Sequence, residues 1–394
     1  MDDYDSIEDV TGSEDDVDIS SPDSTPTKYT PFQPRFRVQI PDAVKDGDAL
    51  LFTVKVFKWD VTDEEISTVK RQYEDVEWLH HLLVTYNNTD GVIIPPLPPR
   101  PEADAKSAES KSKKQLGSDT KFIMPDEFSK DSRVIEKYLQ LMIAHEVFGK
   151  DKNLETFLCE EKAPEHTKIN MGLLGRLSTS VERARKGHHR DIDEYFHKKR
   201  EWAADYSKFI KETSSNFNKM VYAQMRLGTC YEHVSTALNW SGLNRDDESV
   251  KVNRLLITLS RATEDSKHGL ETLSASAEKT LGFELDLNAR YMDSVKEMLF
   301  RRTCLLIDYQ DANRALEKAK PQKKQAAEEV QATAKKAYDN CCEQATNELK
   351  SFLQQRMLSF QDGLILYAES QIKTARDTYA LLTKTMMVLK QSEL

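Results

Sequence analysis

Apolar positions change their period three times along this 394-residue chain. Between Arg35 and Tyr73 they alternate. Phe52, Val54 and Val56 are separated by Thr53 and Lys55, and Ile66 to Tyr73 is a second β-rich run, so a small sheet is expected. From Glu74 to Tyr86 the spacing lengthens, with Val76, Leu79, Leu82 and Leu83 on one helical face. The run Ile94-Pro95-Pro96-Leu97-Pro98-Pro99-Arg100-Pro101 then fixes φ and removes donors, which predicts an extended loop. Residues 102–132 carry little pattern. Helical spacing returns at Val134, Tyr138 and Leu141 and closes with Leu154, Phe157 and Leu158.

Twelve of the thirteen prolines lie at or before Pro164 and only Pro321 follows, so a domain boundary is expected near residue 165. Beyond it the spacing predicts three long helices, from about His189 to Asn239, from Glu248 to Lys320, and from Lys324 onward. In the second, Leu255, Leu259, Ala262, Leu270, Leu273, Tyr291, Val295 and Met298 are expected inward. In the third, Leu353, Met357, Phe360, Leu364, Tyr367, Ile372, Tyr379, Leu382 and Met386 approach a heptad seam. At 1.5 Å per residue the third helix would span about 105 Å, too long for a compact domain to cover. An elongated antiparallel coiled-coil bundle follows. Three such helices leave one apolar stripe open, so a dimer of curved bundles is expected. Lys318, Lys320, Lys323 and Lys324 surround Pro321 and make the far tip basic.

Between the two halves, Leu174, Leu177 and Val181 share one helical face, while Arg176, Arg183, Arg185 and Lys186 lie off it. The pattern suits an amphipathic helix in a membrane interface, and the same face could instead pack on the bundle.

Charge adds one correction to the picture. The formal net charge is −10, but residues 1–30 hold ten acids against one lysine, and taking that −9 away leaves −1 for the remaining 364 residues. The first 30 residues thus read as an acidic disordered tail, and the rest can carry basic surfaces. No apolar run reaches the roughly 18 residues of a spanning helix, and the first residues lack a signal-peptide pattern, so a cytoplasmic protein is expected. The five cysteines show no CxxC spacing. His80-His81 and His188-His189 are adjacent pairs that point to different sides of a helix, and no GxSxG, P-loop, GxGxxG or HExxH pattern occurs. No metal, cofactor or catalysis is expected. Aromatics fall at core spacing and do not interleave with basic residues, which disfavours nucleic acid.

Two stretches carry family resemblances. Arg71-Gln72-Tyr73-Glu74-Asp75-Val76 at a strand-to-helix junction, followed by Ile94 to Arg100, resembles a phox-homology (PX) domain over residues 31–165. That resemblance implies an α+β domain with a small three-stranded sheet, and phosphoinositide binding through Arg71, Tyr73 and Arg100. Gln72 stands where family members that bind the 3-phosphate supply arginine. Arg301 to Ala319 resembles the sorting-nexin BAR domain, which implies an all-α three-helix dimeric unit over 189–394, with 166–188 as the amphipathic linker. Ile40-Pro41-Asp42-Ala43, Trp78-Leu79-His80, Asp126-Glu127-Phe128 and His145-Glu146-Val147-Phe148 are similar to the subgroup of sorting nexins five and six.

The resemblance implies a peripheral protein of early endosomes and their tubules. It would pair with a sorting nexin one/two-type BAR protein or with itself, and form tubular carriers for endosome-to-Golgi retrieval with retromer. A groove near Tyr138 and Met142 would take cargo receptor tails, although the stretch after Phe148 is about ten residues shorter than in the subgroup. The alternative is a coiled-coil cytoskeletal or motor adaptor whose PX domain binds only protein.

Overall fold

The computed structural model describes residues 32–46, 49–59, 64–101, 113, 128–166, 189–239 and 247–391. The acidic stretch 1–30 and the predicted interfacial helix with Leu174, Arg176, Leu177, Val181, Arg183, Arg185 and Lys186 lie outside the described residues. Pro34–Leu394 clusters as one unit.

The sheet has strands β1 (Phe36–Gln39), β2 (Ala43–Asp46), β3 (Ala49–Lys58) and β4 (Glu65–Gln72), all paired antiparallel. β1 and β2 lie one after the other along the same side of β3, and β4 pairs with its other side. Three strands are expected from the resemblance. The fourth arises because Ile40-Pro41-Asp42 interrupts the first one, where Pro41 has no N–H to give the ladder. The alternation is kept: Phe52, Val54 and Val56 are buried. In β4 the same alternation turns Val69 and Arg71 inward and Lys70 outward.

Helices α1 (Tyr73–Tyr86), α2 (Ser129–Ala144) and α3 (Lys152–Cys159) complete this domain. Leu79, Leu83, Ile135, Leu139, Phe148 and Phe157 meet the sheet in one core. Asp151 caps α3 by accepting the Asn153 N–H at 2.7 Å, and its other oxygen accepts Asn87 Nδ2 at 2.6 Å, which ties the end of α1 to the start of α3.

The second domain is built of three rods. The first is α4 (Glu194–Leu238). The second is α5 (Asp247–Ala277), one π-turn (Glu278–Gly282) and α6 (Phe283–Glu317). The third is α7 (Lys324–Gln391), entered through a 3-10 turn at Pro321–Lys323. At 1.5 Å per residue the second and third rods are each about 100 Å long. The rods run antiparallel. Arg302 meets both Phe196 and Tyr338, while Ser235 hydrogen-bonds Ser260 at 3.0 Å. Their shared core is Met292, Val295 and Met298 against Ile210 of α4 and Ala345 and Leu349 of α7. At Gly282 a Cβ would lie 3.2 Å from the Phe217 ring, so glycine lets α4 close on the π-turn.

The seam departs from expectation at the end away from Pro321. Leu259, Met357, Leu364, Ile372, Tyr379, Leu382 and Met386, all expected inward, are exposed, Tyr379 by 74%. Among the described residues a single chain has three rods, and no fourth element covers that face.

Candidate functional site

Arg71, Tyr73 and Arg100 are split between two places. Arg71 is completely buried. Its Nε and Nη2 donate to Phe157 O at 3.1 and 2.8 Å, Nη2 also donates to Glu160 O, and Nη1 donates to Lys70 O and Glu161 O at 2.9 and 3.3 Å. These carbonyls include those that the end of α3 leaves without helical partners, so the guanidinium caps a helix C-terminus. Burial lowers its pKa, against the opposing charges of Asp75 and Glu160. The expectation of a lipid contact at Arg71 is corrected on this geometry: the side chain has no solvent face to offer a phosphate.

Tyr73 and Arg100 do come together. The Tyr73 hydroxyl donates to Pro98 O at 2.7 Å, which fixes the proline loop, and the Arg100 guanidinium lies 4.8 Å above the ring. Arg100 is exposed, but it is held by Glu74 and by Glu77 at 2.8 Å. An incoming phosphate would have to displace two carboxylates. Gln72 is the N-cap of α1, and its N–H donates to Asp75 Oδ2 at 2.7 Å. Asp75 Oδ1 in turn meets His166 Nε2 at 2.8 Å, and the His166 ring stacks on Trp78 at 6.0 Å.

Tyr138 and Met142 are corrected as well. They are 2% and 0% exposed and belong to the core under the sheet, where the Tyr138 hydroxyl meets His80 Nδ1 at 3.0 Å. Neither presents a surface to an extended peptide in this conformation.

Residues that sequence reasoning did not single out join the two domains. Gly91, at φ +77°, turns the chain against α7, and the Arg301 guanidinium donates to Val92 O at 2.7 Å. Ile93 is buried in the core of the rods, and its N–H donates to Glu348 at 3.3 Å. Lys130 of α2 pairs with Glu278 of the π-turn at 2.6 Å. Within the rod domain, in the stretch from Arg301 that the sequence did single out, Arg302 is fully buried. It donates to Asp191 at 2.6 Å and to the Tyr338 hydroxyl at 2.7 Å, and lies 3.6 Å from the centre of the Phe196 ring. It clamps the chain entering α4 to both long rods.

The rods offer two further surfaces. Lys318, Lys320, Lys323 and Lys324 are all exposed around the turn at Pro321, and among the described residues none has an ion-pair partner. At the opposite end, Met357, Leu364, Ile372, Tyr379 and Met386 step by seven or eight residues along α7, and Leu227, Val234, Val252 and Leu259 repeat the pattern on α4 and α5. An apolar seam of this length that no other described residue covers marks an association surface. Among the described residues no three His, Cys, Asp or Glu side chains gather as a metal site would need, and no helix is long and apolar enough to cross a membrane.

A PX-type sheet-and-helix domain joined to an elongated three-rod domain defines the PX-BAR architecture. Residues 60–161 match the PX domain model, and residues 171–337 match the model described as Vps5 C terminal like. The chain carries a PX domain and a Vps5/BAR-like domain, and its homologues are SNX-BAR sorting nexins. The chain is 28% identical to sorting nexin-32 of Mus musculus over 398 residues, covering 94% of this chain and 96% of the relative. It is 26% identical to sorting nexin-6 of Homo sapiens over 377 residues, covering 90% and 91%. The cryo-EM structure of the SNX-BAR Mvp1 tetramer shares the fold at a TM-score of 0.51 and 14% identity, covering 88% of this chain and 99% of that one.

Proposed function

We propose that this chain is a peripheral membrane-remodelling protein of the endosomal system that acts as a dimer of BAR arms and does no catalysis. The observation that carries the reading is the apolar seam on α7, α4 and α5. A second arm buries it, and pairing places a lysine tip at each end of a long rigid body. Each lysine near an anionic leaflet contributes about 1 kcal/mol, and a dimer brings two tips to bear at once. Domain limits of 1–30, 31–165, 166–188 and 189–394 fit this reading. So do a partner of the sorting nexin one/two type, retromer association, and tubular carriers from early endosomes to the Golgi.

The test is sedimentation and vesicle pelleting of the full chain. Leu364→Glu with Met386→Glu should shift the species to monomer. Lys318→Glu, Lys320→Glu, Lys323→Glu and Lys324→Glu together should leave the dimer intact and cut pelleting with anionic vesicles at least tenfold. Full pelleting by the tip variant would remove the membrane role of the tip, and an unshifted seam variant would remove the pairing surface.

A second reading concerns the PX domain, and the pairing of Arg100 with Glu74 and Glu77 favours it. With Arg71 buried, protein contact is the better use of this domain, as in a cytoskeletal or motor adaptor. Calorimetry of the full chain with soluble phosphoinositide headgroups separates the two, because micromolar binding abolished by Arg100→Ala would restore the lipid role.

A further inference from the structure

The first turns of α4 and the middle of α6 enclose a cleft of about 570 Å³, lined by His189, Arg190, His197, Arg200 and Lys296. Its size falls in the range of roughly 300–1,000 Å³ usual for small-molecule sites. Leu299 and Phe300 supply an apolar wall, and among the described residues Glu201 is the only carboxylate in the lining. Three permanent cations against one anion leave two positive charges before either histidine takes a proton, on a chain of net charge −10. Asp293, which accepts from Lys296 at 2.8 Å, is also held by Lys211 at 2.8 Å, so counting both leaves that sum unchanged.

Two details make this a built site. Arg200 is braced, its Nη1 donating to His189 O at 2.7 Å, which presets a fork suited to bidentate phosphate contact. His189 Nδ1 is buried and, among the described residues, has no hydrogen-bond partner. Two residues further on, Asp191 is locked to the buried Arg302, so one wall of the cleft is fixed in place. Cations crowded on a rigid wall repel one another, and a polyanion relieves that repulsion.

We propose that this cleft binds a small anion bearing several phosphate groups. The inference is independent of the membrane reading, since a soluble inositol polyphosphate and a phosphoinositide headgroup share this chemistry. The cleft is also separable from the lysine tip, because Thr303 and Lys318 are about 22 Å apart along α6.

The experiment titrates the full chain with inositol hexakisphosphate by calorimetry, with inorganic phosphate as the monovalent-site control. In parallel it measures pelleting with vesicles containing or lacking phosphatidylinositol 4,5-bisphosphate. Arg190→Glu with Lys296→Glu is compared with Arg190→Lys and with Lys318→Glu plus Lys320→Glu, and circular dichroism melting checks each fold. A soluble source gives hexakisphosphate binding that weakens at least tenfold in the cleft variant and stays within twofold in the tip variant and in Arg190→Lys. A lipid source gives a loss of at least tenfold in the cleft variant and a change within twofold in Arg190→Lys, both in the bisphosphate-dependent part of pelleting, for which the tip variant is not the control. The proposal is overturned if neither probe binds, or if the cleft variant binds both as the parent does while its melting is unchanged.

Discussion

Replacing Asp191 by alanine strands the guanidinium of Arg302. That side chain is 0% exposed, and the carboxylate at 2.6 Å is its one buried counter-charge among the described residues, the Asp193 carboxylate lying 4.0 Å away and partly solvated. Removing one member of a buried pair costs about 3–5 kcal/mol, because the remaining charge keeps its desolvation penalty and loses its compensation. For an arm of roughly 200 residues that corresponds to a drop in melting temperature of about 6–20 °C. The double variant Asp191→Leu with Arg302→Leu removes both charges. It leaves the Tyr338 hydroxyl without its donor, a loss of about 1–3 kcal/mol, so it should be more stable than Asp191→Ala alone. Urea unfolding followed by circular dichroism gives both numbers, and amide exchange at residues 189–193 locates the change. A melting point for Asp191→Ala within 2 °C of the parent would refute the argument, as would a double variant no better than the single one.

His80 gives a pH dependence. Burial, with the neighbouring His81 charge adding to it, lowers its pKa to about 4. Below pH 6.5 the unfolded chain takes up a proton that the native one refuses, so the full stability holds above pH 6.5 and falls as the pH drops towards 4. The loss is about 2 kcal/mol at pH 5. His80→Gln should flatten this part of the profile, and an identical slope in the variant would exclude His80 as its source. Gly91→Ala should loosen the two domains, because the φ of +77° disfavours a side chain and its Cβ would lie 2.6 Å from Cys341 O. The strain is about 1–3 kcal/mol, and faster proteolysis between the domains without unfolding of either is the expected readout.

The rods were legible in the sequence because a helical period sustained over some seventy residues leaves few alternatives, and their ends fell within a few residues of those found. The orientation of the seam was less legible. Spacing alone puts Leu259 on the apolar stripe of its rod and Met357 and Tyr379 on that of theirs, but whether those stripes turn towards the same chain or towards a second one depends on how many rods a chain contains. Arg71 was misplaced for a different reason. Its partners Phe157 and Glu160 lie 86 and 89 residues away, and only the strand alternation that buries Val69 hinted that it points inward. Tyr138 and Met142 were placed by resemblance, whereas their own helical spacing with Leu139 and Ile135 describes a core face. The basic cleft was invisible for the same long-range reason. His189, Arg190, His197 and Arg200 are near neighbours in sequence, but Lys296 reaches them only through the antiparallel pairing of α4 with α6.

The π-turn at Glu278–Gly282 has a mechanical consequence. Turns of this kind are where long helices bend, and this one also receives Lys130 from the PX domain. A change of angle in the second rod at that fulcrum would reach the smaller domain through this ion pair, while Gly91, Val92 and Ile93 hold it to α6 and α7. The posture of the arm and the aim of its N-terminal module are thereby tied at this turn as well as at Gly91 to Ile93.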